Sequence, residues 1–131
     1  EYICKNFPSA HNIGILASDG TIKEELYHKS LINRGLNPID CRNAPDIQKL
    51  VMDSIYSSEW GIKTSGNNVN EKVIDSIKKT INFLLLQNCN LIISGCTEIS
   101  VAISQAHTLR DFEIIDPLKI VAEEILNYVY E

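Results

Sequence analysis

Apolar residues in this chain follow two patterns that alternate from one end to the other. Short unbroken apolar runs predict buried strands at 12–17, 38–41, 91–94 and 112–115. Apolar positions three or four residues apart predict helices at 22–34, 45–55, 70–88, 97–106 and 117–131. The segment 60–70 is rich in Gly, Asn, Ser and Thr, so we expect it to be a loop.

The alternation of strands and helices determines the expected fold class. Parallel strands need a crossover, usually a helix, and both faces of the resulting sheet become covered. Because such crossovers are right-handed, few topologies remain. We predict an α/β fold with a single four-stranded parallel sheet, helices on both faces and a flavodoxin-like strand order. No change of composition marks a domain boundary, so we expect residues 1–131 to form one lobe.

Several of the predicted helix ends carry residues that favour them. Gly35 suits the left-handed position just beyond the helix 22–34. Pro45 and Pro117 suit the first turn of a helix, where a missing N–H costs nothing. Asp116 suits the N-cap before Pro117. These residues support the predicted boundaries.

Composition and charge restrict the partners we expect. The net charge is −5 and the basic residues form no long cluster, so we expect no binding to nucleic acid or to an acidic membrane surface. No apolar run has the length of a membrane span. The four cysteines match neither a CxxC pair nor a zinc-ligand spacing, so we expect free thiols, a cytoplasmic protein and no metal site.

Cys96 stands where the apolar strand 91–94 gives way to a turn and then to a helix. A thiol at a helix N-terminus lies near the positive end of the helix dipole, which favours the thiolate. Cys96 is therefore a candidate nucleophile or acid/base at the carboxyl ends of parallel strands. The local pattern also fits a small buried residue in a tight turn, and the residues alone leave both interpretations open.

Polar residues beside Cys96 and at one other turn add to this candidate site. Thr97 and Glu98 open the predicted helix and could either cap it or help to bind an anion. Ser18 and Thr21 belong to a second strand-to-helix turn, which we expect at the same edge of the sheet. Lys63 lies in the polar loop and becomes relevant if that loop folds over the pocket.

Four segments of the chain carry a resemblance to a known family. The segment 95–101, Gly-Cys-Thr-Glu-Ile-Ser-Val, resembles the second catalytic motif of the aspartate/glutamate racemase superfamily. The segment 13–21 looks like that family's strand and "xGT" turn, and Ile62-Lys63 followed by Gly66 is similar to its "IKxG" stretch. The segment 115–117 resembles its closing strand and final helix. Glu after Cys-Thr resembles the aspartate and broad-specificity branch.

The resemblance implies cofactor-independent racemisation of a small acidic amino acid by two cysteines on opposite faces of the substrate. Cys96 would be one of the two catalytic residues. Thr97, Ser18 and Thr21 would hold the α-carboxylate or the amino group. Lys63 would pair with the side-chain carboxylate, and Glu98 would support the hydrogen bonds of the site.

The resemblance is to one half of a family member. Family proteins have two similar lobes, and the first carries its own cysteine in a Cys-Asn-Thr motif, which does not occur in these 131 residues. The chain resembles the second lobe plus the C-terminal helix, so we expect a fragment or excised domain that is inactive alone. The terminal helix 117–131 would then expose an apolar stripe, which a missing N-terminal lobe or a homodimer would cover.

Two further interpretations remain open at this stage. One is a non-catalytic module of the same fold that binds a small carboxylate or serves only in assembly. The other keeps the superfamily but changes the reaction, since relatives isomerise or decarboxylate related diacids.

Overall fold

The computed structural model describes residues 1–66 and 68–131, and these residues form one four-stranded parallel sheet. Its strands are β1 Asn12–Leu16, β2 Asn37–Ile39, β3 Leu91–Ser94 and β4 Ile114–Ile115. Their spatial order is β2-β1-β3-β4. The predicted α/β class, the all-parallel sheet and the flavodoxin-like order are confirmed.

Helices cover both faces of this sheet. They are α1 Tyr2–Asn6, α2 Asp19–Lys23, α3 His28–Ile32, α4 Pro45–Tyr56, α5 Ile62–Ser65, α6 Glu71–Leu86, α7 Thr97–Gln105 and α8 Pro117–Tyr130, with a 3-10 turn at His107–Leu109. Alternate residues of the central strands enter two separate cores. Ile13 and Ile15 pack on one face, whereas Leu16 and Ile92 pack on the other.

The segment after β1 departs from its prediction. A single helix was expected over 22–34, and the structure has two short helices, α2 and α3. Between them Glu25 takes a φ of 52°, a left-handed conformation that a helix cannot continue through. The first helix also starts earlier than expected, because Asp19, Gly20 and Thr21 are helical rather than a turn.

The predicted loop 60–70 is also partly wrong. It contains the short helix α5, which begins after Gly61 and ends at Ser65. Asn67, which the same prediction includes, lies outside the described residues. The strands β2 and β4 are shorter than expected, with three and two residues.

The predicted helix ends agree well with the structure. Gly35 has a φ of +73°, and the Leu36 N–H donates to the carbonyl of Leu31 at 3.0 Å, which closes the end of α3. The Asp116 side chain accepts a hydrogen bond from the Leu118 N–H at 3.0 Å and so caps α8. Pro45 and Pro117 each occupy the first turn of a helix.

The closing helix α8 leaves most of its large apolar residues exposed. Its 14 residues are all within the described part of the chain, and none of them is buried. Leu118, Val121 and Ile125, spaced three and four residues apart, are 61%, 54% and 57% exposed. The expected exposed apolar stripe is therefore present. None of the helices in the described residues combines the length and apolar character that crossing a membrane requires.

Candidate functional site

Cys96 lies at the carboxyl edge of the sheet, where the strand order reverses. The chain leaves β1 for β2 on one side, and β3 pairs with β1 on the other, so the crevice between β1 and β3 is the switch point of the fold. Open α/β sheets bind their ligands at such points. Leu16 of β1 accepts a hydrogen bond from the Gly95 N–H at 2.9 Å, which holds the Cys96 turn against the end of β1.

Glycine is required at position 95 because two neighbours approach its backbone closely. A Cβ at this position would stand 2.9 Å from the Ala17 Cβ and 3.0 Å from Cε2 of Tyr27. Both distances are at or below the limit of ordinary packing. The absence of a side chain therefore allows the Tyr27 ring to pack against the turn that carries Cys96.

Cys96 is half-buried and lines a small cavity. The cavity has a volume of about 150 Å³ and is lined in part by Cys96, Thr97, Tyr27 and Asp116. Cys96 donates a hydrogen bond from Sγ to Oε2 of Glu98 at 2.9 Å. The sulfur is therefore neither sealed among aliphatic side chains nor fully open to solvent.

Opposing effects act on the pKa of the Cys96 thiol. Burial raises the pKa of the Cys96 thiol to about 11, and the hydrogen bond to the Glu98 carboxylate and that group's negative charge act in the same direction. Backbone N–H groups of Glu98 and Ile99 favour the thiolate but are outweighed. The start of α7 thus favours the thiolate, as the sequence indicated, but burial and Glu98 outweigh it and the net effect favours the thiol.

The carboxylate of Glu98 contacts three polar groups. Besides the thiol, it accepts a hydrogen bond from Thr97 Oγ1 at 3.0 Å, and its Oε1 lies 3.5 Å from Nζ of Lys63. The hydrogen bond from Cys96 is the main cause that lowers the pKa of Glu98, and the Thr97 hydroxyl and the charge of Lys63 add to it. Glu98 is therefore an anion that holds the thiol proton in place.

Lys63 reaches this site because α5 folds over it. Its ammonium lies between Glu98 and the ring of Tyr56, 4.8 Å from the ring centroid. The sequence identified Lys63 as relevant only if its loop approached the pocket, and α5 provides that approach. Within the described residues, however, Lys63 is not among those that line the cavity at Cys96.

Ser18 and Thr21 lie at the neighbouring strand end but outside the cavity. Their hydroxyls are hydrogen bonded to each other at 3.4 Å. Among the described residues, neither lines the Cys96 cavity. Both turns lie at the same edge of the sheet, as the sequence predicted, because β1 and β3 are parallel neighbours.

A second, larger cavity lies on the β2 side of the same edge. Its volume is about 530 Å³, and its lining includes Lys23, Arg42 and Met52. Gln48 extends beside it and donates to the carbonyl of Ala17 at 3.0 Å and to Oδ1 of Asp19 at 2.8 Å. These bonds attach α4 to the end of β1.

Tyr27 and Asp116 belong to the cavity, and sequence analysis missed both as site residues. Burial raises the pKa of the Tyr27 phenol, and the charges of Asp116 and Cys96 raise it further. Asp116 was interpreted only as a helix cap. Its position directly after β4 was the available signal, because residues that follow parallel strands meet at one edge of the sheet.

A pair of hydrogen-bonded serines, Ser94 and Ser100, stabilises the turn at Cys96. The hydroxyls of Ser94 and Ser100 lie 2.7 Å apart, and Ser100 Oγ donates to the carbonyl of Cys96 at 3.3 Å.

Within the described residues, no group of three or more His, Cys, Asp or Glu side chains is arranged to hold a metal ion. The chemistry available at this site is therefore that of a thiol, a carboxylate, a phenol and the amides at the start of α7.

Comparison with known proteins identifies a shared fold. No protein-family model matches the chain. The solved structure of an aspartate racemase from Picrophilus torridus is similar to it, with a TM-score of 0.61, 20% sequence identity and coverage of 83% of this chain. The chain spans 41% of the length of that protein. At this level of identity, the similarity shows that the two share an α/β fold.

Proposed function

We propose that this chain is part of a cofactor-independent racemase that acts on small amino acids of the aspartate and glutamate type. The observation that carries the proposal is the position of Cys96, which lines a small cavity at the switch point of a racemase-like fold. The cavity volume of about 150 Å³ suits an amino acid of four or five carbons. The four cysteines, all within the described residues, are free thiols, which suits the reducing cytoplasm where we place the protein.

Racemisation requires removal of a weakly acidic proton from Cα and return of a proton to the opposite face. In the proposed reaction, a thiolate on a second lobe takes the Cα proton, and the electron pair of the C–H bond moves into the carboxylate system. Cys96 then gives its S–H proton to Cα from the other side and becomes the thiolate. The raised pKa of Cys96 suits the role of proton donor.

The neighbours of Cys96 have distinct roles in this proposal. The Thr97 hydroxyl and the first N–H groups of α7 bind the α-carboxylate, because a helix N-terminus attracts anions. Glu98 holds the thiol proton through its 2.9 Å hydrogen bond. Lys63, whose side chain is half exposed, leaves its ion pair with Glu98 and forms one with the side-chain carboxylate of the substrate. Ser18 and Thr21 complete the site when the second lobe covers this edge.

The second half of the site comes from another lobe in this proposal. In this proposal the exposed stripe of Leu118, Val121 and Ile125 on α8 is the surface that contacts an N-terminal lobe or a second copy of the chain. A stripe of this size is unusual on an isolated globular protein. The opposing cysteine would then approach the cavity from the side that is now open.

A non-catalytic module that binds small carboxylates is the second candidate, and one observation favours it. The thiol pKa of about 11 leaves little thiolate at neutral pH, so Cys96 is a poor base by itself. The two candidates differ in whether Cys96 ever exchanges a proton with a bound ligand.

Proton exchange in heavy water distinguishes these candidates. A single base on one face of the substrate exchanges the Cα proton of one enantiomer without inverting it. We therefore expect the chain alone to introduce deuterium into only one enantiomer of aspartate, faster from about pH 7 to about pH 9 as thiolate forms. The readouts are proton NMR for exchange and chiral chromatography for inversion.

Each outcome of this experiment has a defined meaning. Cys96→Ser should abolish exchange, whereas Cys4→Ser, at an exposed cysteine in α1, should leave it unchanged. Full racemisation by the chain alone would contradict the claim that it carries half a site. Binding of aspartate without any exchange would favour the non-catalytic module.

A further inference from the structure

The cavity at Cys96 has an unexpected charge for a site that receives a dicarboxylate. Asp116 contributes a carboxylate to its lining, and no Lys, Arg or His of the described residues lines it. Asp116 has no ion-pair partner within 4.0 Å in the described part of the chain. A ligand group that approaches Asp116 would therefore have to be cationic or at least a hydrogen-bond donor.

The Asp116 carboxylate keeps acceptor positions that a ligand can use. One of its oxygens, Oδ1, accepts from the Leu118 N–H at 3.0 Å and so fixes the side chain. A carboxylate has about four acceptor positions, so most of its capacity remains for a ligand. The Tyr27 ring lines the same cavity and packs against Gly95, which limits the space around a bound group.

We propose that Asp116 binds the α-ammonium group of the substrate and so selects amino acids over diacids that lack an amino group. This inference rests on the proposed function and names the substrate class of the same site. Asp116 and Cys96 line one cavity, and the ammonium group is bonded to Cα, so an ammonium bound to Asp116 places Cα in the cavity that Cys96 also lines. The carboxylate also keeps the amino group protonated, which makes the Cα proton easier to remove.

Asp116→Asn is a suitable test because it removes the charge and keeps the fold. Asn is about as good an N-cap as Asp, so the bond to the Leu118 N–H and the start of α8 are retained. Asp111→Asn is the matched control. Asp111 is exposed, lies five positions earlier in the chain and makes no side-chain hydrogen bond or ion pair with the described residues.

The experiment is an NMR titration of the full chain, labelled with ¹⁵N, using L-aspartate and succinate as the two probes. Succinate has the same two carboxylates but no ammonium group. We expect the unmodified chain to bind L-aspartate about tenfold more tightly than succinate, the difference expected for one charge-assisted hydrogen bond. The amide signals of α7 and of Leu118 should move during both titrations.

The variants then separate this inference from the proposed function. Asp116→Asn should lose the preference for L-aspartate while its affinity for succinate stays equal or rises, and Asp111→Asn should behave like the unmodified chain. A preference for L-aspartate that persists in Asp116→Asn overturns the role of Asp116 and leaves the proposed function intact. Failure of the unmodified chain to bind either probe at α7 overturns both.

Discussion

At the scale of the residue, the state of Cys96 depends on a competition between two local effects. The start of α7 favours a thiolate, but burial and the carboxylate of Glu98 favour the thiol more strongly, and the pKa rises to about 11. The sequence reveals the helix start, because the pattern at 91–101 marks it. It does not reveal the direction of the Glu98 side chain, which could equally have pointed to solvent.

Removing the charge of Glu98 should make Cys96 more reactive. In Glu98→Gln the thiol loses an anionic hydrogen-bond acceptor and a nearby negative charge, so its pKa should fall toward the ordinary value for cysteine. We expect alkylation by iodoacetamide at about pH 8 to become faster by roughly three- to tenfold, since each unit of pKa changes the thiolate fraction tenfold. Peptide mass mapping measures the rate at Cys96, with the exposed Cys4 as internal control. An unchanged rate would show that Glu98 does not hold the thiol proton.

A second residue-scale prediction concerns Asp40, whose side chain is only 5% exposed. Its oxygens accept from Nε2 of His28 at 2.7 Å and from Nη2 of Arg42 at 2.8 Å. Burial raises the pKa of Asp40, but the hydrogen bonds from Arg42 and His28 lower it more, so the net shift is downward. A lowered pKa in the folded state stabilises the protein above the unfolded-state value of about 3.9, and this contribution disappears as the pH falls through the lower folded-state value.

We therefore expect Asp40→Asn to lower the free energy of unfolding by about 1–3 kcal/mol at pH 7, because it weakens the bonds to the buried His28 and to the exposed Arg42. Urea denaturation at several pH values measures this. The difference from the unmodified protein should shrink as the pH falls below about 4, where the carboxyl of Asp40 begins to be protonated in the unfolded state, and toward the lower pKa of the folded state. Asp75→Asn, at an exposed position of α6, is the control and should have little effect. If the difference in the free energy of unfolding stays constant down to pH 2, the stabilisation does not come from the ionised carboxylate of Asp40.

At the scale of the element, the strongly periodic segments were predictable and the short ones were not. The pattern of α6, with Ile77, Ile81 and Leu84 buried on one face, extends over 16 residues and so predicts a helix strongly. The short helix α5 has only four residues and lies among Gly and Ser, so it is too short to show a helical pattern of apolar positions. The break at Glu25 comes from its left-handed φ, for which the residue type gives no signal. The edge of the sheet was predictable, but the contacts of Tyr27 and Asp116 depend on tertiary packing.

Gly61 connects α4 to α5 and thereby determines where Lys63 lies. A Cβ at position 61 would stand 2.6 Å from the backbone nitrogen of Ser57 and 2.8 Å from its carbonyl oxygen, and backbone cannot move aside as a flexible side chain can. We expect Gly61→Ala to destabilise the protein by about 1–3 kcal/mol and to displace Lys63 from Glu98. Thermal denaturation measures the first effect, and the chemical shift of the Lys63 ammonium group measures the second.

The control for this variant is Gly20→Ala in α2. A Cβ there meets nothing within 4 Å, and Gly20 is helical, so the substitution should be neutral or stabilise by about 0.5–1 kcal/mol. Equal stability of the two variants would show that the connection tolerates a side chain and that Gly61 does not set the position of α5.

At the scale of the whole molecule, α8 differs from the other helices because none of its residues is buried. An isolated helix of 14 residues is marginal in water, and most helices gain their stability by packing an apolar face. We expect the purified chain to self-associate through α8, with sedimentation velocity showing an average mass that increases with concentration. Ile125→Lys should abolish the association, because it places a charge in the centre of the stripe.

Leu86→Lys is the control, since Leu86 is 80% exposed at the end of α6 and lies outside the stripe. It should leave the association unchanged. A strictly monomeric chain at all concentrations would contradict this prediction, and loss of association in both variants would show that another surface is responsible.

The hydrogen bond from Cys96 to Glu98 also affects how the protein withstands oxidants. Peroxides attack the thiolate rather than the thiol, and a pKa of about 11 leaves roughly one thiolate in ten thousand molecules at pH 7. The sulfur is also half-buried, so little of it meets a dissolved oxidant. Aerobic storage should therefore leave position 96 in its reduced form long after more accessible sulfur atoms in the same preparation have become sulfenic or sulfinic acids.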